Sequence, residues 1–276
     1  MKPKVSVIIT TFNRPELLQE AMKSVLSQDF SDFELIVVDD ASPAKEIEEA
    51  VRSFSDPRIN YVKNVNNLGS AKSLNVGFKA ARGEYVAILD DDDVWLSNAK
   101  IGKQVKFLDE NQDCVLVGTN VVVVDAESDK EIIRTNHPFT DGELRKIIFQ
   151  NNPFAHSSVM FRKKAALAAG GYDETLPRGK DYDLWLKLSK IGKISVLPDY
   201  FLKYREGSFL SGNILRQRYE DAFWTLKVMK KHFHDFPGTL KPYLRQLLRL
   251  AIFRILLFVP VLYKFYRFLF RQVESQ

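Results

Sequence analysis

Four aspartates in a row, Asp90-Asp91-Asp92-Asp93, follow the apolar run Tyr85-Val86-Ala87-Ile88-Leu89 and lead into Val94-Trp95-Leu96. Like charges about 4 Å apart repel by roughly 4 kcal/mol at an effective dielectric near 20. A solvated loop tolerates such repulsion. This run abuts a buried strand, however, and a bound divalent cation would offset the cost. On an extended chain Asp90 and Asp92 point to one side, with Asp91 and Asp93 on the other. One side then offers two oxygen ligands. That suits Mg²⁺ or Mn²⁺, which take one or two carboxylates and fill the shell with substrate phosphates. Two more polar clusters end apolar runs: Thr10-Thr11-Phe12-Asn13-Arg14 and Asp39-Asp40. For Asp39-Asp40, ordinary turn chemistry is an equal alternative.

The elements that must position these groups are legible. Val5-Ser6-Val7-Ile8-Ile9 is a β-branched strand, and Pro15 suits a first helical position before apolar residues at helical spacing from Leu17 to Leu26. Leu35-Ile36-Val37-Val38 is a second strand, residues 44–54 a helix, 59–62 a third strand, 70–81 a helix and 85–89 a fourth strand. Strands alternating with helices predict an α/β fold with a mostly parallel sheet and helices on both faces. Such sheets bind ligands at the carboxyl ends of their strands. Further on, residues 114–124 read as a long strand with 130–135 as its partner, 144–149 as a short apolar run, and 181–190 as a helix. Gly170-Gly171 marks a turn.

Composition narrows the classes. The chain has 276 residues, 27% of them charged and 45% hydrophobic, which excludes a disordered or collagen-like chain. A single cysteine, Cys114, forms no intrachain disulfide and fits a reducing compartment. The short apolar run at residues 5–9 does not read as a secretory leader. Net charge is +5, but residues 241–276 hold seven basic residues against one acid, so the body is close to neutral. No nucleic-acid partner is expected of such a body. The tail reads as a basic amphipathic helix for an anionic membrane surface, with packing on the body or a homo-oligomer interface as the alternative. Its longest charge-free stretch is too short to span a bilayer, and Pro260 would kink any helix there.

Several of these runs, taken in order, resemble glycosyltransferase family 2. Residues 5–14 are similar to its opening strand, and Val37-Val38-Asp39-Asp40-Ala41-Ser42 to its second motif. Asn67-Leu68-Gly69-Ser70-Ala71-Lys72 and Ala80-Ala81-Arg82-Gly83-Glu84-Tyr85 resemble the third, and residues 89–95 the metal-binding acidic motif. His156-Ser157-Ser158-Val159-Met160-Phe161-Arg162, Gly170-Gly171-Tyr172-Asp173-Glu174 and Asp181-Tyr182-Asp183-Leu184-Trp185-Leu186 match its acceptor half. The resemblance implies a GT-A fold: a nucleotide-sugar half at residues 1–100, an acceptor half at 101–212, and here a helical basic region at 213–276. It implies an inverting transferase using a nucleotide-sugar, commonly UDP-linked, and Mg²⁺ or Mn²⁺. Thr11, Phe12, Arg14, Asp39, Gly69, Lys72, Asp90 and Asp91 would then line the donor pocket, and Asp92 with Asp90 would hold the metal. Asp181 matches the catalytic base, although Lys180 stands where the family usually has an acid.

His156 and Asp183 are acceptor candidates; a structural role for His156 is at least as natural. Residues two apart on a helix point about 200° from each other, so Asp181 and Asp183 cannot both face one site if the helix starts before them. Asp181 also suits a helix start by its charge alone. Trp95 and Trp185 read as packing residues and Gly69 as a turn. The expected setting is cytoplasmic, peripheral to the inner face of the membrane, with a glycan or lipid-linked acceptor in cell-surface polysaccharide or lipopolysaccharide synthesis. The alternatives are a sugar-nucleotide nucleotidyltransferase, for which residues 10–15 lack the glycine-rich loop, or a non-catalytic nucleotide-binding scaffold.

Overall fold

The computed structural model describes residues 2–206 and 214–258. The first half builds β1 (Val5–Thr11), α1 (Pro15–Leu26), β2 (Phe33–Asp39), α2 (Glu46–Arg52), β3 (Ile59–Lys63), α3 (Ser70–Ala80) and β4 (Tyr85–Ile88). β1, β2 and β4 are Val/Ile/Leu-rich and buried almost throughout. Side chains on both faces of a parallel sheet are covered, which selects such continuous apolar runs. The order is β3-β2-β1-β4, all parallel, with Thr11 level with Asp39 and Ile8 level with Ile88. The strand order reverses at β1, so the crevice where a ligand binds opens between the carboxyl ends of β1 and β4. Thr11 ends one of these strands and the acidic run follows the other.

The second half continues the same sheet. It comprises β5 (Val94–Trp95), α4 (Lys100–Glu110), β6 (Cys114–Asp125), β7 (Glu131–Arg134), α5 (Asp141–Ile147), β8 (Met160–Arg162), α6 (Lys163–Ala168), α7 (Lys180–Ile191) and β9 (Lys193–Glu206). Beyond β4 the order runs β8-β6-β9-β5, with β7 paired to β6 as its sequence implied. β8 is antiparallel to β4 and to β6, while β6 and β9 run parallel. β5 begins directly after the acidic run, yet it pairs with Lys203 and Leu202 of β9 at the far end of this order. The sheet therefore curls, and residues 90–93 bridge from its centre to its edge. The apolar run at 144–149 is largely taken up by α5, whose Leu144 is fully buried. Trp185 on α7 and Trp95 on β5 are both core residues, as expected of packing tryptophans.

The chain divides into two compact units, Met1–Glu206 and Gly207–Gln276. Within the second, α8 (Ile214–Lys231) and α9 (Leu240–Phe258) pack through Leu215, Ala222, Phe253 and Leu256. The tail expectation for Pro260, Lys264, Arg267 and Arg271 lies outside the described residues. Among the described residues no helix is long and apolar enough to cross a membrane.

Cys114 begins β6 in the core, and burial pushes its thiol up to about 11. Only about one thiol in a thousand is then ionised at pH 8, where the thiolate is the reacting form. Ellman's reagent should detect essentially no thiol in the native protein at pH 8 and one per chain in guanidinium. Prompt reaction of the native protein would contradict the burial.

Candidate active site

Each carboxylate of the acidic run is met by a different part of the chain. The run is a turn rather than an extended segment, because the Asp93 N–H donates to the Asp90 carbonyl at 3.1 Å. The expected alternation survives in burial: the side chains of Asp90 and Asp92 are 33% and 39% exposed, while Asp91 and Asp93 are buried. Asp91 accepts from the Thr11 hydroxyl at 2.7 Å and from Arg14 at 3.3 Å, which ties the run to the end of β1. Asp93 accepts from the Ser157 hydroxyl at 2.5 Å and the Arg205 N–H at 3.1 Å. Asp92 accepts from Arg14 at 3.0 Å. Burial pushes Asp91 up to about 6, even though Thr11 and Arg14 oppose it. Burial and the charge of Asp90 raise Asp92, and raise Asp93 well above the carboxylate range.

Asp90 behaves in the opposite way. Burial would raise it, but the His156 ring and the charge of Lys180 hold it down to about 2. His156 Nδ1 lies 2.9 and 3.1 Å from the two Asp90 oxygens, and Nε2 lies 2.8 Å from the Tyr172 hydroxyl. A carboxylate only accepts, so Nδ1 donates to Asp90, while Nε2 pairs with the Tyr172 hydroxyl. Both ring nitrogens are spent inside the protein. His156 is thereby a buried link between the acidic run and the second half, in keeping with the structural alternative.

Tyr172 is placed by a clamp. Asn75 of α3 donates to the Tyr172 carbonyl at 2.9 Å and accepts from its N–H at 3.1 Å, while Phe78 stacks on the ring at 5.2 Å. Gly171 has φ +67°, and a Cβ there would lie 2.9 Å from Asn75 Oδ1, so both backbone shape and space call for glycine. Burial, with the charges of Asp90 and Asp181 behind it, raises the Tyr172 hydroxyl well above its ordinary range. Asp181 sits in the first turn of α7, after Gly179 in the left-handed region, and its Oδ2 accepts from Asn152 at 3.0 Å. α7 begins at Lys180, so Asp183 faces elsewhere: it is fully buried and paired with Lys187 at 2.6 Å.

At the end of β2 the two aspartates separate. Asp40 accepts from the N–H groups of Leu68 and Gly69 at 2.8 and 2.9 Å and from Asn64 at 2.8 Å. Burial would raise it, but these donors keep it below the usual carboxylate range. It organises the loop into α3, where Gly69 has φ +84° at the helix start. Asp39 is fully buried, accepting from the Ser42 N–H at 2.8 Å and the Tyr61 hydroxyl at 2.7 Å, with Lys63 at 3.4 Å. Tyr61 and Lys63 alternate on β3 and so share a face. Phe12 and Lys72 are exposed. Sequence reasoning did not single out Asn75, Asn152, Tyr61 or Ser157. Only Ser157 lay inside a quoted motif.

The carboxylates available to a cation are Asp90 and Asp92. Among the described residues no group of three or more His, Cys, Asp and Glu side chains is poised for a metal. A pair of carboxylates beside a crevice nevertheless fits Mg²⁺ or Mn²⁺, whose remaining ligands come from substrate phosphates and water.

Comparisons with known proteins bear on the family and the fold. The family model described as glycosyl transferase family 2 matches residues 6–171. An uncharacterized glycosyltransferase of Methanocaldococcus jannaschii is 35% identical, covering 84% of this chain and 82% of the relative. The amylovoran biosynthesis glycosyltransferase AmsE of Erwinia amylovora is 28% identical, covering 92% and 97%. Among solved structures, S. aureus TarS 1–349 in complex with UDP-GlcNAc is similar in fold, with a TM-score of 0.61, 21% identity, and coverage of 91% of this chain and 80% of that one.

The raised Asp91 has a thermodynamic consequence. A carboxyl that holds its proton more tightly when folded favours folding as pH falls through about 6, levelling off near 4. Measured by urea unfolding in EDTA, the stability of the native sequence should gain about 1.4 kcal/mol more than that of Asp91→Asn between pH 7.5 and 5. Parallel pH profiles for the two proteins would contradict the assignment.

Proposed function

Because this chain belongs to glycosyl transferase family 2, we propose that it is an inverting glycosyltransferase moving a sugar from a UDP-linked donor to an acceptor hydroxyl, with Asp181 as the base. The observation that carries this reading is the hydrogen-bonded link from Asp90 through His156 to Tyr172, which ties the acidic run to the half of the chain that carries Asp181. The UDP-GlcNAc complex of a protein of similar fold supports the donor class. AmsE, named for amylovoran biosynthesis, supports an acceptor in cell-surface polysaccharide or lipid-linked glycan synthesis. Such an acceptor is presented at a membrane, so the protein would work in the cytoplasm at its inner face.

The donor's diphosphate would lie in the crevice between β1 and β4. Asp90 and Asp92 would hold Mg²⁺ or Mn²⁺, which when bound supplies Lewis-acid charge to the leaving diphosphate. Arg14 sits on Asp91 and Asp92 at the mouth of that crevice, where its guanidinium can also meet a phosphate. Asn152 occupies Asp181 Oδ2 and turns the carboxylate, leaving Oδ1 to accept the proton of the attacking hydroxyl. The hydroxyl attacks the anomeric carbon from the side opposite the diphosphate, and a single displacement inverts that centre. Lys180 precedes the base, and its positive charge already acts on Asp90. It favours negative charge on the donor side of the site.

A general base contributes about 10²–10⁴ in rate. Asp181→Asn should lower kcat for UDP-sugar turnover in Mn²⁺ by about that factor, with donor KM within about threefold. The melting-temperature rise given by UDP and Mn²⁺ should persist in the variant, since ligand binding to the folded state stabilises it by mass action. A kcat loss below about tenfold would remove Asp181 from the role.

A further inference from the structure

We propose that α9 is a docking surface for anionic phospholipid and lies flat in the headgroup region. One face of α9 is already used: Phe253 and Leu256 pack on Leu215 and Ala222, and Gln246 donates to the Ala222 carbonyl at 3.0 Å. That fixes the rotation of the helix against α8. The opposite face carries Leu240, Leu244, Leu248, Ile252 and Ile255, each between 44% and 63% exposed. The spacing of four, four, four and three makes one continuous stripe along a helix about 28 Å long. Single exposed leucines are ordinary, but a stripe of five large side chains is the mark of an interaction surface.

Charge selects the partner. Lys241, Arg245 and Arg249 each follow a stripe leucine and border the stripe on one side, while Arg254 borders it on the other. At 100° per residue the stripe spans about 120°; Lys241 falls just inside one edge, Arg245 and Arg254 about 20° and 40° outside the two edges, and Arg249 about 60° beyond. α9 contains no aspartate or glutamate. Lys241 and Arg245 also line an open groove of about 560 Å³ with Leu240, Leu244 and Leu248, so cation and apolar surface are interleaved. A second copy of the same helix would bring its cations against these with no acid between them. An anionic lipid surface supplies the missing negative charge and takes the leucines into the acyl boundary. This surface does not depend on the reaction assigned to Asp181.

The test uses the full chain and sedimentation with vesicles. Vesicles of equal parts phosphatidylglycerol and phosphatidylcholine should bind the protein at least tenfold more tightly than phosphatidylcholine alone, and about 0.5 M salt should release it. Leu244→Gln with Leu248→Gln should weaken binding to the anionic vesicles at least tenfold, and Arg245→Gln with Arg249→Gln should remove most of the preference for anionic lipid. The thermal shift given by UDP and Mn²⁺ should be unchanged in both variants, which separates this proposal from the nucleotide-binding reading. Equal binding to both vesicle types, or undiminished binding by both variants, would overturn it. So would light scattering that shows a dimer dissociated by the leucine substitutions, which would make a second copy the occupant.

Discussion

Four neighbouring carboxylates cannot share one environment, and the structure around residues 90–93 is organised by that constraint. Asp91 is drawn to Thr11 at the end of β1 and shares Arg14 with Asp92, while Asp93 and Asp90 are drawn to the neighbouring Ser157 and His156, Asp93 also to β9. The repulsion is thereby turned into cross-links. The turn bridges the centre of the sheet and its edge, so these cross-links also close the curl of the sheet. The two partly exposed members, Asp90 and Asp92, are the ones that a cation and a diphosphate could reach in the proposed reaction.

The same turn couples the two halves of the site. His156 is the pivot, with Asp90 on one nitrogen and Tyr172 on the other. Trp185 of α7 lies 6.1 Å from the His156 ring, and Phe154 and Phe161 pack on the same indole. The helix that carries Asp181 is thus seated on the cluster that holds the histidine. A shift in either would be felt by the other, because close-packed interiors transmit strain. The proposed donor and acceptor functions are therefore held in one rigid arrangement, not on separately mobile loops.

Much of this was legible in the sequence because it is local. Alternation placed Asp90 and Asp92 together, β-branched runs placed the strands, and Gly69 and Gly171 marked turns that their backbone angles require. What the sequence left open concerns contacts made across long stretches of chain. His156 meets Asp90 across 66 positions, and nothing near it in sequence announces that both nitrogens are taken. Asp183 is indistinguishable from Asp181 until the start of α7 at Lys180 turns it into the core. Asp39 was visible as a strand-end carboxylate, but its cover by Tyr61 depends on the pairing of β2 with β3. The apolar stripe of α9 was legible as a pattern, whereas the face that α8 leaves uncovered was not.

The central claim is that the exposed pair in the acidic turn, Asp90 and Asp92, receives a cation beside Asp181. Crystals grown with UDP and Mn²⁺, measured at the manganese absorption edge, test it most directly. The account predicts an anomalous peak bonded to Asp90 or Asp92 and to the UDP phosphates, with the Asp181 carboxylate facing the same crevice. A manganese peak elsewhere, or UDP bound with no peak at these carboxylates, would contradict it.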